Sequence, residues 1–242
     1  MKILKSDATR LIYVPNPKAA STSIYKVMVT LSGVDLAVPV RRALRTSRFA
    51  DDIRAAGVET ILVDTRKIVE FRKAHREYVW FTFVRDPYDR VVSNYHNKLN
   101  RFAAEFQRGA YLSAKLRQLA MGPKAWQSHL VCVDYLKGVI SFEDYVRGLG
   151  EHGVEFDAHF RPQTEVLRVP RLRYDFVGRV ERFGDDIRSV AERAGRAGVL
   201  DEAALPRENA SRREKSDPYS PELRAIVHRL YRSDFEEFGY EA

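Results

Sequence analysis

The sequence predicts an α/β fold with a central parallel sheet between layers of helices, and three observations point to this class. Two short segments rich in β-forming residues, 11–14 and 78–84, are each followed at once by a helical pattern. The second segment is apolar almost throughout, as expected of a strand covered on both faces. Beyond residue 100 the pattern is mostly helical. We therefore expect a three-layer core and a helix-rich second half.

The first strand, residues 11–14, ends at Pro15-Asn16-Pro17, and residues 18–23 form a loop before the next helix. That helix has an apolar face formed by Ile24, Tyr25, Val27, Met28 and Leu31. Residues 60–63 predict a second strand, and residues 67–76 predict a polar helix or turn.

The strand at 78–84 is the best candidate for the middle of the parallel sheet, and Arg85 follows it directly. Asp86 can cap the next helix, because aspartate is favoured at that position and Pro87 suits the first helical position. This helix is predicted to run to about residue 100. A strand again leads into a helix.

Later elements are predicted as helices over residues 102–119, 142–149 and 185–194, with a short strand over 174–177. Residues 194–218 combine small, charged and turn residues and predict an exposed loop. The last helix places Leu223, Ile226, Val227, Leu230 and Tyr231 on one face, so it should dock on the core together with Phe235 and Phe238. We predict one domain, residues 1–242.

Composition narrows the function classes. The chain has 41 Lys plus Arg against 33 Asp plus Glu, a net charge of +8 that attracts anions without naming them. The longest apolar stretch is far shorter than the roughly 20 residues needed to cross a bilayer, and residues 1–10 are too polar for a signal peptide. We therefore expect a cytoplasmic protein without a transmembrane helix. The single cysteine, Cys132, excludes an internal disulfide and a thiolate-rich zinc site.

A loop between a strand and a helix start binds anions, because backbone N–H groups and the positive end of the helix dipole meet there. Lys18 adds a charge, and Ser21, Thr22 and Ser23 add hydroxyl donors. The loop has no glycine and its Lys comes first, so a Walker-type NTPase is disfavoured. A Ser/Thr helix cap beside a surface Lys is the alternative interpretation.

Arg85 and Ser93 can face the same crevice at the carboxyl edge of the sheet, where open α/β proteins bind ligands. The guanidinium fork of Arg85 suits a phosphate, and the Ser93 hydroxyl can donate to a further oxygen. The alternative is a surface ion pair of Arg85 with Asp86 or Asp89, with Ser93 packed in its helix.

Residues 17–23 (Pro-Lys-Ala-Ala-Ser-Thr-Ser) and 83–95 (Phe-Val-Arg-Asp-Pro-Tyr-Asp-Arg-Val-Val-Ser-Asn-Tyr) resemble the two cofactor-binding motifs of sulfotransferases that use 3'-phosphoadenosine 5'-phosphosulfate (PAPS). The resemblance is to the carbohydrate branch, sulfotransferase family 2, which includes the chondroitin 4-O and HNK-1 enzymes. It continues through residues 157–163, 174–181 and 234–240, and so spans nearly the whole chain.

The resemblance implies a P-loop-like core, PAPS as sulfuryl donor, and a hydroxyl acceptor on a carbohydrate or glycoconjugate that can be acidic. By position, the 5'-phosphosulfate would be held by Lys18, Ala19, Ala20, Ser21, Thr22 and Ser23, and the 3'-phosphate by Arg85 and Ser93. Neither a metal nor a nucleic-acid partner is implied.

Animal members are Golgi type II membrane proteins with disulfides. This chain has Arg168 where those relatives tend to place a cysteine, so it better suits a bacterial cytoplasmic enzyme.

Sulfuryl transfer needs a base for the acceptor hydroxyl and positive charge at the leaving phosphate. Lys18 is the predicted leaving-group residue. His159 is the first choice for the base because histidine titrates near neutrality, and its alternative role is to hold the turn at residues 161–163 by bonding the backbone. His96 is the second choice, three residues after Ser93.

Two other functions stay open. One is a P-loop-like kinase that uses ATP, which the missing glycines and the lack of a clear Mg²⁺-binding Asp disfavour. The other is a basic nucleotide- or nucleic-acid-binding protein without activity. The late basic run of Arg212, Arg213 and Lys215 could fold over a nucleotide, although a solvated charge run is the favoured interpretation.

Overall fold

The computed structural model describes residues 1–33, 57–96, 141–155, 157–200 and 217–242. The chain divides into two compact units. The first is formed by Met1–Arg85 and Leu167–Arg213, the second by Asp86–Val166 and Glu214–Ala242. The organisation as one domain stays a prediction.

The first unit contains a sheet. Its strands are β1 (Lys2–Ser6), β2 (Leu11–Tyr13), β3 (Val58–Leu62), β4 (Val79–Val84) and β5 (Phe176–Arg179), in the order β3-β1-β2-β4-β5. Strands β2, β4 and β5 are parallel, whereas β1 is antiparallel to both β2 and β3. The predicted α/β class with a parallel centre is confirmed, but the complete described sheet is mixed.

The helices of both units follow in chain order. They are α1 (Ser21–Leu31), α2 (Ile68–Ala74), α3 (described over residues 87–96), α4 (Phe142–His152), α5 (Gln163–Leu167), α6 (Phe183–Arg193), α7 (Pro221–Leu230) and α8 (Arg232–Phe238). A short 3₁₀ turn, Val180–Arg182, joins β5 to α6. The predicted helix over 102–119, the end of α3 and most of the predicted loop at 194–218 lie outside the described residues.

Strand β1 was not predicted, and the first strand is therefore not the one at residues 11–14. It contains only two consecutive apolar residues, Ile3 and Leu4, with a lysine on each side, so the local pattern is weak. Both side chains are fully buried, and because consecutive strand residues point to opposite faces, one is buried on each face of the sheet. Tertiary pairing, rather than local propensity, decides this strand.

Strand β4 is the middle of the three parallel strands, as predicted. Trp80, Phe81, Phe83 and Val84 are all buried, and the strand pairs with β2 on one side and β5 on the other. On β5, Gly178 lies against the Phe83 ring, which a Cβ at that position would approach to 2.6 Å. A glycine is therefore required where the ring crosses the neighbouring strand.

Helices cover both faces of this sheet. Helices α1 and α6 share one core with Tyr13, Phe81 and Phe83. On α2, Phe71 contacts Trp80, with ring centroids 6.0 Å apart. Side chains of consecutive strand residues point to opposite faces, so Trp80 and Phe81 mark the two sides of β4. The described part of this unit has the predicted three layers.

The second unit is helical, and aromatic and aliphatic side chains of α3, α4, α7 and α8 form its core. Helix α3 begins as predicted, because the Asp86 carboxylate accepts the Asp89 N–H at 3.0 Å with Pro87 at the first helical position. The predicted docking of the last helices is confirmed by the burial of Leu223, Val227 and Phe235.

In the described ranges, no helix combines the length and apolar character that crossing a bilayer requires.

Candidate active site

The loop of residues 15–23 leaves the carboxyl end of β2 and is tied to β4. Asn16 is fully buried, and its Nδ2 donates to the carbonyl of Phe83 at 3.0 Å. The Asn16 carbonyl accepts the Ser21 hydroxyl at 2.7 Å and the Ala19 N–H at 3.2 Å. Asn16 therefore fixes the loop on the neighbouring strand, a role that sequence reasoning did not assign.

The loop turns through two left-handed residues just before α1. Lys18 has φ 69° and Ala20 has φ 56°, a conformation that non-glycine residues adopt at some cost. Ala20 is the N-cap residue, has no side chain that could cap the helix, and the first turn carries no acidic residue. The first turn of α1 thus contributes no acidic side chain that would repel an anion at the positive end of the helix dipole. The alternative of a Ser/Thr helix cap is wrong.

The three loop hydroxyls differ in their surroundings. Ser21 accepts the Tyr13 hydroxyl at 3.1 Å and uses its own proton on the Asn16 carbonyl. Burial raises the pKa of Tyr13, which keeps this hydroxyl a neutral donor. Ser23 is buried, whereas Thr22 is half-buried at the helix start. Ser21 is therefore part of the loop's internal scaffold in this structure.

Arg85 and the loop leave the sheet at the same edge. Strands β2 and β4 are parallel, with Tyr13 paired to Phe81, so their carboxyl ends lie side by side. Arg85 is half-buried and follows the last residue of β4. The structure thus brings the loop and Arg85 together at one sheet edge, as the sequence predicts.

Arg179 is a further cation at this edge, and sequence reasoning did not single it out. It ends β5, pairs in register with Val84 and is half-buried. Its N–H donates to the buried Asp186 carboxylate at 2.6 Å, which fixes the strand end. The available signal was its place two residues after the predicted strand at 174–177.

Ser93 and His96 lie on α3, in the second unit. Both are half-buried. The His96 ring contacts Tyr95, with centroids 5.3 Å apart. The buried face of this helix is instead formed by Arg90, Val91 and Asn94.

The segment around His159 is held by its carbonyl groups. The buried Arg90 donates to the Arg161 carbonyl at 2.9 Å, and Asn94 donates to the His159 carbonyl at 3.3 Å. Tyr231 donates to the Phe160 carbonyl at 2.7 Å. These side chains perform the backbone-holding role considered for the His159 ring, whose described hydrogen bond goes to Asp157.

Asp234 holds the residues that follow. It is fully buried, and its carboxylate accepts the N–H groups of Gln163 and Thr164 at 2.8 and 2.9 Å and the Thr164 hydroxyl at 3.0 Å. Burial raises the pKa of this carboxyl, while the Thr164 and Gln163 N–H groups act in the opposite direction. The terminal segment of the chain thus fixes the start of α5.

We expect Asp234→Ala to lower the free energy of unfolding by at least about 1–3 kcal/mol, because it leaves buried donors without an acceptor. Urea unfolding measures this loss. Asp185→Ala is the control, since the Asp185 side chain is 83% exposed and should change stability little. Equal effects of the two substitutions would contradict the assigned role of Asp234.

A model of the family described as "Sulfotransferase family" matches residues 1–241, and thus every segment discussed above. This chain belongs to the sulfotransferase family. The resemblance seen in its sequence motifs is confirmed.

Several curated relatives of this sulfotransferase family member carry carbohydrate sulfotransferase names. Carbohydrate sulfotransferase 14 of Homo sapiens is 31% identical over 191 residues, which cover 78% of this chain and 46% of the relative. Carbohydrate sulfotransferase 11 of Mus musculus is 25% identical over 247 residues, 95% of this chain and 64% of the relative. The chain thus spans about half to two thirds of the length of these relatives. No solved structure gives a significant match.

Proposed function

We propose that this chain transfers the sulfuryl group of PAPS to a hydroxyl of a carbohydrate or glycoconjugate. The observation that carries the proposal is the uncapped start of α1 beside Lys18, at the same sheet edge as Arg85, in a member of the sulfotransferase family. The names of the relatives support a carbohydrate acceptor. The net charge of +8 supports an acceptor that can be acidic.

The residues fit the two anionic parts of PAPS. The helix start, with Lys18 and without an acidic residue in its first turn, suits the 5'-phosphosulfate. The half-buried guanidinium of Arg85 suits the 3'-phosphate, and the resemblance to the second cofactor-binding motif assigns the Ser93 hydroxyl to the same phosphate. When bound, PAPS supplies the sulfuryl group and a phosphate leaving group.

We assign a separate task to each candidate site residue. The loop of residues 18–23 and the positive end of α1 bind the anion, and Lys18 stabilises the charge that develops on the leaving oxygen. Ser21 keeps the loop in shape through Asn16 and Tyr13. His159 accepts the proton of the acceptor hydroxyl.

We predict that activity survives removal of divalent metals with EDTA, because Lys18 and the start of α1 supply the positive charge at the leaving phosphate.

A thermal-shift experiment separates this function from the other two. The desulfated cofactor PAP, ATP with Mg²⁺, and an unrelated oligonucleotide are compared at equal concentration. A ligand that binds only the folded state raises the melting temperature, so selective stabilisation by PAP supports the proposal. Selective stabilisation by ATP with Mg²⁺ would favour a kinase, and by the oligonucleotide a nucleic-acid-binding protein.

We expect Arg85→Ala and Ser93→Ala to weaken PAP binding far more than binding of adenosine 5'-phosphate, which lacks a 3'-phosphate. A lost charge-assisted hydrogen bond predicts a loss of about ten- to hundredfold, larger for Arg85 than for Ser93. Isothermal titration calorimetry measures both ligands. Arg188→Ala and Ser189→Ala, which alter side chains on α6 that bond to Asp185, are the controls. Equal weakening of both ligands would count against the 3'-phosphate assignment.

We also propose a cytoplasmic location for this chain. Its support is the single cysteine, which cannot form a disulfide within the chain. Cell fractionation tests it. Recovery with membranes or outside the cytoplasm would contradict the proposal.

A further inference from the structure

Asp157 makes two hydrogen bonds to His159 through one carboxylate oxygen. Its Oδ1 accepts the backbone N–H of His159 at 2.7 Å and lies 2.6 Å from the ring Nδ1. The two side chains are 39% and 45% exposed, so the ring is partly open to solvent. Asp157 thus contacts both the main chain and the ring of a single residue.

This contact decides which ring nitrogen carries the proton. A neutral imidazole has one N–H donor and one nitrogen that accepts, and an ionised carboxylate can only accept. The Nδ1 atom beside Asp157 must therefore be the donor. The lone pair of the neutral ring is then on Nε2, the nitrogen away from Asp157.

The backbone of this segment is also held by hydrogen bonds that do not involve the Asp157 side chain. Asn94 donates to the His159 carbonyl and Tyr231 to the Phe160 carbonyl. Arg90 donates to the Arg161 carbonyl, and Arg161 itself donates to the Glu155 carbonyl at 2.6 Å. Loss of the Asp157 carboxylate therefore leaves most of the hydrogen bonds that hold the turn.

We propose that Asp157 is the positioning residue of His159, which it holds with Nδ1 protonated so that Nε2 accepts the proton of the acceptor hydroxyl. This inference rests on the proposed function. The proton moves from the hydroxyl to Nε2, and the electron pair of the O–H bond stays on the acceptor oxygen. That oxygen bonds to the sulfur while the bond between sulfur and the 5'-phosphate oxygen breaks, and the electron pair of the broken bond leaves with PAP. The imidazolium lies beside the Asp157 carboxylate until its proton passes to water.

Nitrogen-15 NMR of the histidine-labelled protein tests the tautomer directly, without any need for turnover. His159→Ala assigns the signal. At a pH where the ring is neutral, we expect Nδ1 protonated and Nε2 unprotonated in the wild type. We expect Asp157→Asn to keep this tautomer, because an amide oxygen can replace Oδ1, and Asp157→Ala to lose the preference. A wild-type ring protonated on Nε2 would overturn the proposal.

A double-mutant cycle tests the positioning role. We expect kcat to fall about tenfold in Asp157→Asn, which lacks the charge, and about tenfold to a hundredfold in Asp157→Ala, with little change in the KM for PAPS. In the His159→Ala background, Asp157→Ala should cause no further loss, because Asp157 acts through the ring. A similar loss in both backgrounds would show a merely structural role and contradict the proposal.

Asp64→Ala is the matched control for these variants. The Asp64 carboxylate also accepts the backbone N–H and a side-chain N–H of the residue two positions later, Arg66, at 2.9 and 3.2 Å. Asp64→Ala removes the same kind of hydrogen bond from a turn that contains no histidine, so kcat should be unchanged. A wild-type protein with the expected tautomer but no sulfuryl transfer would refute the proposed function and with it the catalytic part of this inference, while the tautomer assignment would stand.

Discussion

Replacing His159 with alanine is expected to lower turnover by about 10²–10⁴ while PAP affinity and melting temperature stay nearly unchanged, because only proton transfer is lost. In the structure, turnover can fall without a loss of stability, because other side chains hold this turn. The turn around His159 is held by Arg90, Asn94 and Tyr231, which bond to backbone carbonyls. Steady-state kinetics, calorimetry with PAP and a thermal melt check the three parts of this prediction.

The pH profile provides a second readout for His159. A base must be unprotonated to accept the hydroxyl proton, so wild-type activity should rise with pH and the ascending limb should vanish in His159→Ala. His96→Ala is the control, and it should keep both the rate and the limb. Substantial turnover of His159→Ala with an unchanged limb would show that the base is elsewhere, and His96 would be tested next.

Lys18→Ala is expected to lower turnover at saturating PAPS by at least roughly a hundredfold, because the variant lacks charge where the leaving phosphate develops it. Lys18 has φ 69°, and alanine adopts this conformation about as poorly as lysine does. The conformational strain of the backbone at position 18 should therefore be nearly the same in the variant. Turnover measured at several PAPS concentrations separates this effect from weaker binding.

Lys67→Ala is the control for Lys18, since Lys67 is exposed and precedes α2. It should leave the rate unchanged. A near-normal rate of Lys18→Ala at saturating PAPS would exclude the leaving-group role. A higher KM alone would leave Lys18 as a binding residue only.

The order of strand, loop and helix could be predicted both after β2 and after β4, because the sequence signals for this order are local. Apolar β-forming residues followed by a helical period mark β2 with α1 and β4 with α3. Asp86 and Pro87 mark the start of α3 in the same way. Parallel pairing then places the loop and Arg85 at one edge, which follows from the fold class itself.

The missed features depend on contacts between distant parts of the chain. Strand β1 has only two consecutive apolar residues, and its pairing with β2 and β3 could not be predicted from so weak a local pattern. Arg90 reaches a carbonyl 71 residues away and Asn94 one that is 65 residues away, and nothing in the local pattern indicates these partners.

Ser21 illustrates the same limit within the predicted loop. Its residue type and place at the helix start predict an anion donor, but Tyr13 and Asn16 engage its hydroxyl in the structure. The type of residue could be read from the sequence, whereas the use of its proton depends on the fold. Asp157 and His159 are two residues apart, so their pairing was within reach of a local argument.

Product analysis by mass spectrometry tests the central claim most directly. The purified chain is incubated with PAPS and a panel of neutral and acidic glycans, with Lys18→Ala as the parallel sample. The proposed function predicts a glycan that gains one sulfate ester together with one PAP per transfer, and far less of both with Lys18→Ala. A panel that stays unsulfated while the same glycans are phosphorylated from ATP and Mg²⁺ would contradict it.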